Sequence, residues 1–237
     1  MKKILNNRKV ILNKGFTLVE MAIVLIIVGL LISAFLAPLS AQRDLKDYSE
    51  TKAHLEQIRE ALYGYAIING NLPCPTTTAD PTDNVNYGHS DAACPLTAAA
   101  GVLPWKDLGV MEIDSWGRQR NITADPWVGY WVYRVDPNFT TAFSLTTKTE
   151  ATSPNAGANI DIKKLDGTSL TIAAERAVAV ICSTGKNRVP NGQNATFETA
   201  NPVYQDDFQS TTFDDMCIWI TRPSLFNRMV TAGKLPQ

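Results

Sequence analysis

The sequence predicts an α+β protein in which one long N-terminal helix precedes a β-rich body. Three observations lead there. Residues 16–39 form an apolar run, residues 45–65 carry an apolar stripe at helical spacing, and short extended runs begin at Asn71. At 237 residues the chain has room for one domain with an appendage.

The first element is the basic segment 1–15. Lys2, Lys3, Arg8, Lys9 and Lys14 stand there with no acid, although the whole chain nets -1. The remainder is therefore acidic. That excludes a nucleic-acid binder, which needs clustered basic charge to displace counterions. Basic residues ahead of an apolar run stay on the cytoplasmic side of a membrane.

The second element is residues 16–39, with Glu20 as its one charge. As a helix it is roughly 36 Å long, enough to cross a bilayer and to place the following chain outside the cytoplasm. A secretory signal peptide has a shorter apolar region and ends at a small-x-small site. Leu39-Ser40-Ala41 puts Leu where a small residue belongs. A plain permanent anchor leaves Glu20 unexplained, because a carboxylate within the membrane costs about 3 kcal/mol on insertion scales.

The helix continues as an amphipathic segment over 40–69. Leu45, Tyr48, Leu55, Ile58, Leu62 and Tyr65 share one face, and charged residues fill the others. Pro38 is expected as a tolerated kink. Asn69-Gly70 is the expected stop. The body, 70–237, shows strand propensity most strongly at 129–135 and 176–182. Weaker candidates are 141–147, 159–163, 169–173 and 216–221, separated by loops at 76–91, 149–158 and 185–207.

Four cysteines, Cys74, Cys94, Cys182 and Cys217, all follow the apolar run. An even number in an exported body reads as two disulfides with three possible connectivities, of which the sequential pairing is favoured. Each such loop is worth about 3–4 kcal/mol by chain entropy. No Cys-x-x-Cys spacing supports zinc. Nor does a catalytic set assemble: His54 and His89 are the only histidines, and no nucleophile-elbow, phosphate-loop or His-Glu-x-x-His motif occurs. The protein is expected not to be an enzyme. The body tryptophans, Trp105, Trp116, Trp127, Trp131 and Trp219, read first as core and turn packing.

The junction Lys14-Gly15-Phe16-Thr17-Leu18-Val19-Glu20 resembles the class III signal of type IV prepilins and type II secretion pseudopilins. The resemblance implies cleavage after Gly15 by a prepilin peptidase and methylation of the new N-terminal Phe16. It also implies a pilin fold, with the amphipathic half of the helix packed on an antiparallel sheet. Glu20 falls on the family's hallmark acidic position. A carboxylate there can pair with a neighbouring subunit's amino terminus, offsetting the burial of both charges and fixing axial register. Implied partners are other pilin or pseudopilin subunits, the peptidase, and the inner-membrane assembly platform with its ATPase. The implied location is the bacterial inner membrane, then a periplasmic or cell-surface filament. A body of this size tilts the resemblance toward a minor subunit. A membrane-anchored periplasmic binding module for calcium or a surface ligand is the alternative.

A weaker resemblance lies in the body. Asp114-Ser115-Trp116-Gly117 and Cys182-Ser183-Thr184-Gly185-Lys186-Asn187 look like turns of major pseudopilins. Asp214 to Trp219 looks like the end of their calcium loop, with Phe213 replacing an acid. That implies Asp206, Asp207, Asp214 and Asp215 as calcium ligands; capping turns at the surface is the plain alternative for these acids.

Overall fold

The computed structural model describes residues 15–76, 86–92, 94, 101–117, 130–144, 160–172, 176–196 and 202–235, excepting the side chains of 34–40. The chain divides into two units, Met1–Leu45 and Lys46–Gln237. Helix α1, Leu18–Asn69, belongs to both. It is unbroken through Pro38 and stops where expected. Gly70 takes φ 77°, and its N–H closes on the Ala66 carbonyl at 2.8 Å.

In the first unit the described apolar side chains of α1 are all exposed, Leu18 at 87 % and Leu30 at 66 %. No helix among the described residues is long and apolar enough to cross a membrane. Residues 18–33 come to roughly 24 Å of helix against a hydrocarbon core of about 30 Å. The rest of the apolar run expected to span, 34–39, lies outside the described side chains.

The second unit is built around a four-stranded antiparallel sheet in the order β1, β2, β4, β6. These strands are β1 Gly101–Val102, β2 Val132–Val135, β4 Ala177–Ser183 and β6 Met216–Thr221. Between β1 and β2 lies the short helix α2, Trp105–Leu108, ended by Gly109 in the left-handed region. β4 is central and buried along its whole length, which its near-continuous run of β-branched and small apolar residues allows.

Side chains alternate across this sheet, with one interruption. Trp131, Tyr133 and Val135 of β2 and its approach, with Ala179 and Ile181 of β4, join one core; Val132, Val180 and Cys182 join another. A bulge between Ala177 and Ala179 shifts the register, so Val178 and Ala179 both enter the first core. That core holds Leu55, Ile58, Leu62, Tyr63 and Ala66 of α1 and Leu225, Phe226 and Met229 of helix α3, Arg222–Thr231. The opposite face is covered by Ile160, Ile162 and Tyr204. Ile162 and Tyr204 belong to a second sheet of β3 Asp161–Lys163 and β5 Val203–Gln205, and Ile160 immediately precedes β3.

The architecture is therefore α+β, a helix followed by a mostly antiparallel sheet. Four details depart from the sequence reading. The β3–β5 pair is parallel, joining Ile162 to Tyr204 across a long connection. Residues 141–144 form no strand; Phe143 instead packs on Phe139 and Phe226. Of 169–173, the described residues make only an isolated bridge, Ser169 to Lys163. The stripe on α1 also begins later than its spacing suggests, since Leu45 is 70 % exposed and Tyr48 is at the surface. The loop 149–158 and Trp127 lie outside the described residues.

Candidate functional site at the helix start and the polar junction of the body

Gly15, Phe16 and Thr17 precede α1 without regular structure, and Phe16 is 83 % exposed. Nothing among the described residues requires glycine at 15. Its φ is not positive, and a Cβ there would meet no atom within 4 Å.

Glu20 sits at the third helical position and reaches back to Thr17. Its Oε2 accepts the Thr17 N–H at 2.8 Å and the Thr17 hydroxyl at 2.9 Å. The Glu20 N–H donates in return to Thr17 Oγ1 at 3.2 Å. This is a reciprocal capping box, satisfying donors at a helix start that have no intrahelical partner. Thr-x-x-Glu is its sequence signature, and it was legible at Thr17 although the sequence reading assigned Glu20 to subunit pairing alone.

The body holds a polar junction built from the two turns that resemble those of pseudopilins. Asp114 is buried; its Oδ2 accepts the Ser183 hydroxyl at 2.5 Å and its Oδ1 the Trp116 N–H at 3.1 Å. Burial pushes the Asp114 carboxyl up to about 6, with the Ser183 bond pulling the other way. The turn is anchored to α1 through the Ser115 N–H on Thr51 Oγ1, and to the next loop through Arg188 on the Trp116 carbonyl. Gly185 has φ 65°, and a Cβ there would collide with the Asp214 backbone. Only glycine allows this approach.

The four aspartates named as calcium ligands are not gathered on one point. Asp207 Oδ2 accepts the Leu165 N–H at 2.7 Å and its Oδ1 the Phe208 N–H at 2.8 Å. Burial raises Asp206, which receives the Cys217 backbone N–H. Asp214 Oδ2 accepts the Asn187 N–H at 2.7 Å. Asp215 is buried, and its carboxyl is pushed up to about 7 by that burial. Among the described residues no three His, Cys, Asp or Glu side chains could together hold a metal. Asn187 lies in the turn singled out from the sequence, whereas the amides Asn191, Asn194 and Gln205 around these acids carry no spacing signal that marks them.

Disulfides join Cys74 to Cys94, with Cα atoms 5.4 Å apart, and Cys182 to Cys217, with Cα atoms 4.2 Å apart. The second links registered partners on β4 and β6. His89 Nδ1 lies 2.6 Å from Asp107 Oδ1, while Ser90 Oγ accepts the Cys74 N–H and donates to the Asp91 carbonyl. Trp105 and Trp131 are buried, and Trp116 packs against the main core.

No curated protein and no solved structure matches the chain. Residues 12–36 match the prokaryotic N-terminal methylation motif. That stretch runs from the end of the basic segment across Gly15, Phe16 and Glu20 into α1, so the chain carries the class III signal of the type IV pilin and pseudopilin family at its N-terminal end.

Proposed function

We propose that the chain is a structural subunit, a minor pilin or pseudopilin, of a type IV pilus or type II secretion pseudopilus. Residues 1–15 are the leader, 16–39 the membrane and filament-core helix, 40–69 its amphipathic continuation and 70–237 the body outside the cytoplasm. The precursor waits in the inner membrane until prepilin peptidase cuts after Gly15 and Phe16 is methylated. The helix then leaves lipid for a bundle of neighbouring helices, where Glu20 pairs with an adjacent subunit's amino terminus. This pairing offsets the cost of burying either charge alone.

The observation that carries the reading is the methylation motif over 12–36, directly continuous with a 52-residue helix. The unconstrained Gly15 supports it. A glycine that the fold itself does not need is suited to a narrow external site, such as a peptidase cleft. Exposure of every described apolar side chain of residues 16–33 also fits a surface that is covered only by lipid or by other subunits.

The test is incorporation. With the assembly machinery present, sheared or periplasmic filaments should contain the mature chain, and a Gly15→Val variant should be absent from them. Filaments that never contain the wild-type chain, while the anchored protein accumulates, would favour a binding module fixed in the membrane.

A further inference from the structure

The resemblance of Asp214 to Trp219 to a calcium loop makes a structural demand. A hard cation takes six to eight oxygens around one point. In this chain one carboxylate oxygen each of Asp214 and Asp215, and both of Asp207, are instead occupied by N–H donors. Asp215 Oδ2 accepts the Asn191 N–H at 2.8 Å and the Asn194 Nδ2 amide at 2.9 Å. The Asp215 carbonyl accepts Gln209 Nε2 at 3.0 Å. Asp214 Oδ2 is taken by the Asn187 N–H, and both Asp207 oxygens are held by backbone N–H groups on another turn. A cation placed against these oxygens would face the positive ends of the same N–H dipoles.

Asn194 is the centre of this arrangement. It is 3 % exposed, inside the 3-10 turn Gly192–Thr196. Besides Asp215, its Nδ2 donates to the Gln205 carbonyl at 3.0 Å, and its Oδ1 accepts the Gln205 N–H at 2.8 Å. One side chain thus joins β5 to the segment entering β6. Asn191 makes a second bridge, its Oδ1 accepting the Asp214 N–H and Asn187 Nδ2, each at 3.1 Å. Gly192, φ 54°, lets the turn approach Gln205, where any Cβ would strike the amide oxygen. The Cys182–Cys217 disulfide closes the base two residues past Asp215. Two buried oxygens, Asp214 Oδ1 and Asp215 Oδ1, find no hydrogen-bond partner among the described residues. They are the feature that speaks for a cation, and two oxygens fall far short of the coordination a hard cation needs.

We propose that the region between β4 and β6 is a metal-free amide clasp, in which Asn194 and Asn191 bind Asp215 and Asp214 in the segment whose sequence resembles a calcium loop. The inference concerns the body alone and does not depend on how the N-terminus is processed.

The measurement is the melting temperature of the full-length, disulfide-bonded protein in detergent, in millimolar calcium chloride and in excess EDTA. The clasp predicts superimposable curves. It also predicts that Asn194→Ala lowers Tm by roughly 5–10 °C in both conditions, since the change removes one of the two donors to Asp215 Oδ2 and takes the Asn194 partner from both Gln205 backbone groups. A calcium-dependent rise in the wild-type Tm, the signature of a ligand binding the folded state, would overturn the proposal. So would an Asn194→Ala variant as stable as the parent. If that variant does not fold, the wild-type comparison alone decides.

Discussion

Glu20 serves two masters at the residue scale. Its carboxylate caps α1 through Thr17, and the subunit-pairing reading asks the same group to carry charge to a neighbour. Substitution separates the two. Glutamine keeps an acceptor for the Thr17 N–H but has no charge, whereas alanine loses both. Glu20→Gln should therefore insert and be cleaved like the parent, yet enter filaments poorly, measured as the ratio of filament to membrane subunit. Normal incorporation of Glu20→Gln, with failure of Glu20→Ala, would reassign the residue to capping. Asp114 offers a second test. Its folded-state carboxyl titrates near 6, above an exposed aspartate, so the folded chain holds that proton more tightly than the unfolded chain. The sign follows: this stabilisation is complete below about pH 4 and is lost as pH rises through about 6. Asp114→Asn should flatten the fall in Tm between those values. An unchanged slope would show that the carboxyl does not titrate there.

Among the elements, α3 and the second half of α1 cover one face of the sheet. Leu62 of α1 is fully buried in the core they share with it, so Leu62→Ala should cost about 2–5 kcal/mol of unfolding free energy in denaturant titration. At the start of α3, Thr221 Oγ1 accepts the Ser224 N–H. Thr221→Ala should cost about 1 kcal/mol, within reach of the same titration. α3 shows why some elements escaped the sequence. Its signals, Thr221 as cap, Pro223 in the first turn and apolar residues at 225, 226 and 229, are all present. They follow β6 without any loop, so the strand pattern masked them. α1 was legible because its periodicity persists over many turns, and its stop at Asn69-Gly70 was readable for the same chemical reason that Gly70 adopts positive φ. β1, of two residues, and β5, of three, are too short to show any period. Their places are set by partners distant in sequence, as Val102 on Val132 and Tyr204 on Ile162.

For the whole molecule, the same asymmetry explains what could be read about function. The Gly15–Glu20 signal is local: each residue type has its meaning within a few positions of the next. The polar junction is not local. Asp114 meets Ser183 only after β2 and β4 pair, and Asp215 meets Asn194 only after the intervening loop folds back. The resemblance to a calcium loop placed the aspartates in one candidate set, whereas the folded chain distributes them among separate turns and surrounds two of them with amides. The account as a whole rests on the N-terminal signal, and one experiment addresses it directly. The mass of the N-terminal peptide of the membrane-extracted protein should be measured with and without a cognate prepilin peptidase. A chain beginning at N-methyl-Phe16 only when the peptidase is present is the predicted result; a chain beginning at Met1 in both conditions, or near Gln42, would contradict it.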